Sequence, residues 1–84
     1  MKVLFTENGW ADYRFWQDTD RATLKRVNRL IEECLRTPFA GIGKPEALKH
    51  QLAGYWSRRI TDEHRLVYTV DDGQLVIIAV RHHY

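Results

Sequence analysis

Cysteine occurs once in the 84 residues, at Cys34, so the chain can neither staple itself with an internal disulfide nor assemble a cysteine-rich zinc site. Long apolar runs are missing too. The longest, Leu75 to Val80, is far short of the roughly 20 residues a membrane-crossing helix needs. The opening residues Met1-Lys2-Val3-Leu4-Phe5-Thr6-Glu7 meet an acid before any long apolar stretch develops, which argues against a secretory leader. Charge of one sign is not in excess: 13 Lys and Arg stand against 11 Asp and Glu, a net +2. Low-complexity segments, internal repeats and linkers are absent. The expectation is a cytoplasmic protein with no membrane contact.

What is present is a globular composition, 44% hydrophobic and 12% aromatic, too rich in Trp, Tyr and Phe for a disordered tail. The length allows one domain, residues 1–84, burying only about 60–65% of its unfolded surface. Among the basic residues nine are Arg and four Lys. Arginine offers a planar fork of donors that suits phosphate, whereas lysine acts as a point charge.

Val3, Leu4 and Phe5 form a short β-rich stretch. Thr6 is an N-cap candidate for a helix whose first turn carries Glu7, where negative charge suits the helix dipole. Trp10, Tyr13 and Trp16 give that helix an aromatic face, and Asp18-Thr19-Asp20 ends it and caps the next. From Arg21 to Arg36 the apolar positions Leu24, Val27, Ile31 and Cys34, widened by Leu30 and Leu35, predict an amphipathic helix that Pro38 terminates. Ala40-Gly41-Ile42-Gly43-Lys44-Pro45 reads as a loop. Strands are expected over Tyr55–Thr61, Arg65–Val70 and Leu75–Val80. The order is β-α-α-β-β-β, an α+β domain whose antiparallel or mixed sheet carries a helical hairpin on one face. A two-residue turn at Asp72-Gly73 would put Arg65 with His82 and Tyr84; the preferred three-residue turn at Asp71-Asp72-Gly73 would put Leu66, Tyr68 and Val70 on the covered face with Val76, Ile78 and Val80. Arg65, Arg81 and His83 would lie on the other.

The polar residues that remain are candidates for chemistry. His83 shares the expected face of Arg65, His82 does not, and histidine exchanges protons near neutrality. Adjacent histidines on a strand point to opposite faces and cannot chelate one metal together. Glu46 lies between Lys44 and Lys49, after the Gly-rich loop. Of the neighbours Arg58 and Arg59, only one can join the Arg65 face, and strict hairpin counting across Asp62-Glu63 favours Arg58. A carboxylate, a histidine and several cations on one surface suit phosphodiester cleavage by the ribose 2′-hydroxyl, with cations stabilising charge on phosphorus and no metal or other cofactor needed. The alternative is a non-catalytic nucleic-acid-binding module, which would use the arginines but not Glu46 or His83. His50 and His64 read as loop or strand-end residues, Cys34 as a core residue, and Arg21, Lys25, Arg26 and Arg29 as a solvated helix face.

The run Gly43-Lys44-Pro45-Glu46-Ala47-Leu48-Lys49-His50, followed by Gly54-Tyr55-Trp56-Ser57-Arg58-Arg59-Ile60, Glu63-His64-Arg65-Leu66-Val67-Tyr68 and a terminal His83-Tyr84, resembles the YoeB toxins of the RelE superfamily. Trp10, Asp12, Tyr13 and Trp16 in the first helix and Thr37-Pro38-Phe39 after the second agree as well. Ala47 stands where a second proline is common, and His82 where another residue often precedes the His-Tyr ending. The resemblance implies a microbial-ribonuclease-like fold and a toxin that cleaves mRNA in the ribosomal A site. It also implies homodimerisation and restraint by a YefM-type antitoxin that covers the basic face or displaces the C-terminal residues. It makes Glu46 the general base, His83 the general acid, Arg65 the phosphate-stabilising arginine, Lys49 and Arg59 supporting cations, and Tyr84 a residue that shapes the site. By choosing Arg59 over Arg58 it implies a bulge or three-residue turn after Thr61.

Overall fold

The computed structural model describes residues 1–82. Strand β1 (Lys2–Phe5) leads into helices α1 (Glu7–Thr19) and α2 (Arg21–Arg36), followed by β2 (Glu46–Ala47), a 3₁₀ turn (His50–Leu52), β3 (Trp56–Arg59), β4 (Arg65–Asp71) and β5 (Gln74–Ala79). The helix boundaries arise from local chemistry. Thr6 caps α1 by accepting from the Gly9 N–H at 3.1 Å. Asp20 serves both helices: its N–H donates to the Trp16 carbonyl, and its side chain accepts from the Thr23 N–H at 3.1 Å. Arg36 is the last residue of α2, two before Pro38, because a residue preceding proline avoids helical geometry.

The five strands are ordered β1-β5-β4-β3-β2. The sheet is mixed, one of the two arrangements expected, because β1 runs parallel to β5. Both helices intervene before the chain returns, and only such a long connection permits parallel pairing. Strand β2 was not expected at all; two residues carry no readable periodicity. Val27, Leu30 and Cys34 of α2 and Trp16 of α1 meet Ile60, Leu66, Tyr68, Leu75, Ile77 and Val80 in the core.

Two one-residue irregularities reset the expected faces. Asp71 pairs with Gln74, leaving the two-residue turn, whose Asp72 and Gly73 are both left-handed (φ 50° and 72°), in place of the preferred three-residue turn. Leu75 and Ile77 therefore face the core in place of Val76 and Ile78. A β-bulge then intervenes, since Tyr68 pairs with Ile77 but Val67 with Ala79, leaving Ile78 as the extra residue. Its carbonyl accepts from Asn8 Nδ2 at 3.2 Å. The bulge returns Val80 to the core, where the sequence had put it.

The β3–β4 connection has the odd length that the resemblance required. Arg59 pairs with Arg65, and Ile60 donates to the His64 carbonyl at 3.0 Å, so Thr61, Asp62 and Glu63 form the loop. Arg58 thus pairs with Leu66 and points into the core, fully buried. Its Nε donates to the Tyr68 hydroxyl (3.1 Å), Nη1 to the Ile42 carbonyl (2.9 Å), and Nη2 to the carbonyls of Ala40 (2.8 Å) and Thr37. Tyr68 in turn donates to the Pro38 carbonyl at 2.6 Å. Carbonyls that would be stranded in a loop are satisfied by one guanidinium, whose charge in return is solvated by their dipoles.

Burial pushes the Tyr68 phenol up to about 12, with the hydrogen bond from Arg58 opposing it, and burial likewise raises the Cys34 thiol. Arg58→Met should lower unfolding free energy by about 3–5 kcal/mol in a urea titration, because several buried acceptors lose their donor at once. Arg59→Ala should change it by less than about 0.5 kcal/mol. The folded chain keeps Tyr68 protonated at pH values where the unfolded chain releases the proton. Its contribution to stability is therefore complete below the ordinary phenol value of 10.0 and lost as pH climbs toward about 12. Denaturant midpoints measured between pH 9 and 12 should fall across that window, and fall less in Tyr68→Phe.

Candidate active site

The sheet face turned away from the helices is assembled from strand pairing. Glu46 on β2 lies opposite Ser57 on β3; two residues along, on the same face, is Arg59, which lies opposite Arg65 on β4. Glu46 and Arg59 are exposed and Arg65 is half-buried, while Ser57 and Val67 form a buried floor between them. Three of the residues singled out in the sequence, from three strands, are thereby brought onto one surface.

Each is held there by its local backbone. The Gly43 carbonyl accepts from the Arg59 N–H at 2.7 Å, tying the Gly-rich loop to β3 just before β2 begins. Arg26 of α2 donates to the Arg59 carbonyl at 3.2 Å. Arg65 has one guanidinium nitrogen, Nη1, directed at the carbonyls of Thr61, Asp62 (3.0 Å) and His64 (3.1 Å). That anchorage fixes the plane of a planar fork able to meet two oxygens at once.

Beyond β2 the chain turns through Lys49 and His50, and residues 46–52 line an open groove of about 610 Å³. Glu46 and the exposed Lys49 both border it, so the candidate base and a supporting cation share one recess. Leu48, buried at the middle of this segment, fixes its backbone through a 2.9 Å bond from its N–H to the Tyr55 carbonyl.

Arg81 does not join the Arg65 face. Strand β5 ends at Ala79, and the Arg81 guanidinium stacks over the Phe15 ring of α1 at 3.5 Å. His82 is exposed and left-handed (φ 62°), with its ring 5.5 Å from that of His64. His83 and Tyr84 lie outside the described residues. Among those described, no three His, Cys, Asp or Glu side chains gather as a metal site, and no helix is long and apolar enough to cross a membrane. Cys34 lies in the core, as read, and so does Trp16; Trp10 is 45% exposed and stacked on Tyr13.

The sequence reading missed Arg58 as the anchor of the 37–42 loop and Ser57 as the site floor. The pair Arg58-Arg59 carried the only signal, that one of them had to face inward.

Known proteins share this fold. A solved structure described as the YoeB/ParE toxin from Agrobacterium tumefaciens superposes with a TM-score of 0.98 over the whole of both chains, at 53% identity. YoeB from Staphylococcus aureus, solved as a dimer and in a heterotetrameric YoeB–YefM complex, superposes with TM-scores of 0.92 and 0.91 at 44% identity, covering all of this chain and 98% of that one. These define a small α+β toxin fold with two helices over a five-stranded mixed sheet. Toxin YoeB of Escherichia coli K12 is 57% identical over the full length of both chains, and residues 5–84 match the model for the YoeB-like toxin of bacterial type II toxin–antitoxin systems. The chain belongs to that family.

The loop before β2 yields its own test. Gly43 has φ +82°, and a Cβ there would approach Leu30 Cδ2 to 2.8 Å and Arg58 Cβ to 3.2 Å. Gly43→Ala should cost about 1–3 kcal/mol in a thermal or urea unfolding experiment.

Proposed function

We propose that this toxin is a ribosome-dependent, metal-independent endoribonuclease that cleaves mRNA in the A site. The observation that carries the reading is the convergence of Glu46, Arg59 and Arg65 on one open face, with Lys49 in the same groove as Glu46. A carboxylate beside several cations is what attack by a neighbouring hydroxyl on a phosphodiester requires.

Glu46 takes the proton from the ribose 2′-hydroxyl, and the 2′-oxygen forms a bond to phosphorus. The extra negative charge on the phosphoryl oxygens is met by Arg65, with Arg59 and Lys49 in support; preformed cations lower the barrier because they need no rearrangement as charge develops. His83 gives its proton to the 5′-oxygen as the P–O5′ bond breaks, leaving a 2′,3′-cyclic phosphate and a 5′-hydroxyl. Tyr84 shapes the site beside it. A 10² to 10⁴-fold contribution is the usual scale for one such acid or base.

The 84 residues act as a single domain whose target lies in the cytoplasm. A YefM-type antitoxin and a second copy of the chain are its protein partners, supported by the YoeB–YefM complex and the YoeB dimer of Staphylococcus aureus.

In a chelator-treated translation reaction with mapped 5′ ends, the wild-type protein should cut messages at A-site positions. Glu46→Gln and His83→Gln should each lower the single-turnover rate by about 10² to 10⁴-fold while ribosome binding is retained. Folded wild-type protein that binds ribosomes without cutting would leave the arginine face as a binding surface only.

A further inference from the structure

The chain leaves the sheet in an unusual way. Strand β5 ends at Ala79, and from Val80 to His82 its backbone is held mainly by side chains from elsewhere. Asp12 Oδ2 accepts from the Val80 N–H at 3.0 Å, and the Trp16 indole N–H donates to the Val80 carbonyl at 2.7 Å. Asp12 and Trp16 are four residues apart on α1, hence neighbours on one helix face. Two residues later His64 Nδ1 accepts from the His82 N–H at 2.8 Å, and the Arg65 N–H donates to the His82 carbonyl at 3.0 Å. The His82 residue is thus gripped at both its N–H and its C=O while held at φ 62°. A left-handed conformation is uncommon for a non-glycine residue and persists where its surroundings enforce it.

The His64 contact dictates a chemical state. A backbone amide can only donate, so Nδ1 must carry the lone pair, the ring must be neutral and its proton must sit on Nε2. A protonated ring would present two donors and no acceptor. The ring is also braced edge-on against Trp16, with centroids 4.9 Å apart. The same indole therefore steadies His64 and holds Val80.

We propose that His64, supported by Asp12 and Trp16, is a positioning residue: by gripping the His82 backbone it sets the direction in which the chain delivers His83 to the departing 5′-oxygen. This rests on the reading of His83 as the general acid. His82 then contributes its backbone, not its imidazole. Displacing the delivered group by an ångström is enough to cost about 10²-fold in rate.

The test compares His64→Leu, which removes the acceptor, with His64→Asn, whose Oδ1 falls near the position of Nδ1. Each is assayed in single turnover on ribosomes carrying either an ordinary message or one with sulfur replacing the bridging 5′-oxygen at the cleaved linkage. A thiolate leaves without being protonated, so the sulfur message bypasses the general acid. His64→Leu should cut the ordinary message about 10- to 100-fold more slowly than wild type but match it on the sulfur message, and His64→Asn should stay within about threefold on both. Equal slowing of His64→Leu on both messages, or an Asn variant as slow as Leu, would overturn the proposal.

A readout independent of cleavage is ¹⁵N NMR of histidine-labelled protein. An unprotonated Nδ1 on His64, and a hydrogen-bonded His82 amide signal that shifts in His64→Leu, support the grip; a protonated Nδ1 overturns it. Wild-type protein that cuts neither message would defeat the nuclease reading and the delivery step together. The NMR result would still decide whether the grip exists.

Discussion

The buried guanidinium of Arg58 is the interaction on which the rest of the molecule depends. A cation taken out of water is tolerated only where dipoles replace its hydration, and here the Thr37, Ala40 and Ile42 carbonyls and the Tyr68 hydroxyl do so. The exchange is mutual. The 37–42 segment is short of regular structure and mostly exposed, yet its Thr37, Pro38, Ala40 and Ile42 carbonyls are satisfied by side chains from the core, which tie the loop down. From that anchored loop the chain runs through Gly43, whose carbonyl takes the Arg59 N–H, and into β2 with Glu46. Glu46 thus stands on a strand of only two residues, steadied on one side by the loop that Arg58 anchors and on the other by buried Leu48.

Arg58 and Arg59 show how one residue of parity divides structure from chemistry. The two side chains differ by one position along β3 and therefore by one face of the sheet. Inward, the guanidinium meets carbonyls in a dry interior and serves stability. Outward, it meets solvent beside Arg65 and is open to an anionic ligand. Exchanging the two roles would require only a one-residue change in the β3–β4 loop, and for that reason the three-residue connection Thr61-Asp62-Glu63 matters as much as the arginines.

The far side of the sheet is organised around the C-terminal segment. The two-residue turn and the bulge at Ile78 together move the β5 register by two residues relative to the expected turn, restoring Val80 to the core. Helix α1 supplies Asp12 and Trp16 to the backbone that emerges, Phe15 takes Arg81, and Asn8 covers the bulge carbonyl. An aromatic helix that looks in sequence like simple core filling is also a set of polar contacts to the last strand.

Helix limits, caps and the buried stripe of α2 were legible in the amino-acid order, because they depend on neighbours within a turn: Thr6, Asp20 and Pro38 act locally, and Val27, Leu30 and Cys34 repeat at helical spacing. The candidate groups Glu46, Arg59 and Arg65 were named through motif likeness; alternation said only that Arg58 and Arg59 take opposite faces, and counting across Asp62-Glu63 favoured the one that the structure buries. The parallel pairing of β1, the existence of β2, the inner face of β5 and the fate of Arg58 and Arg81 were not legible. The face of β5 turns on a single residue gained in a turn or bulge, and the others turn on partners far along the chain or, for β2, on a strand too short to show a period. A one-residue slip inverts every later side chain on a strand while leaving composition and periodicity unchanged. Local order thus specified both helices and most of the strands, and offered the candidate side chains. Which face each side chain occupies, and what it touches there, came from long-range pairing, because register is a property of two strands together and of neither alone.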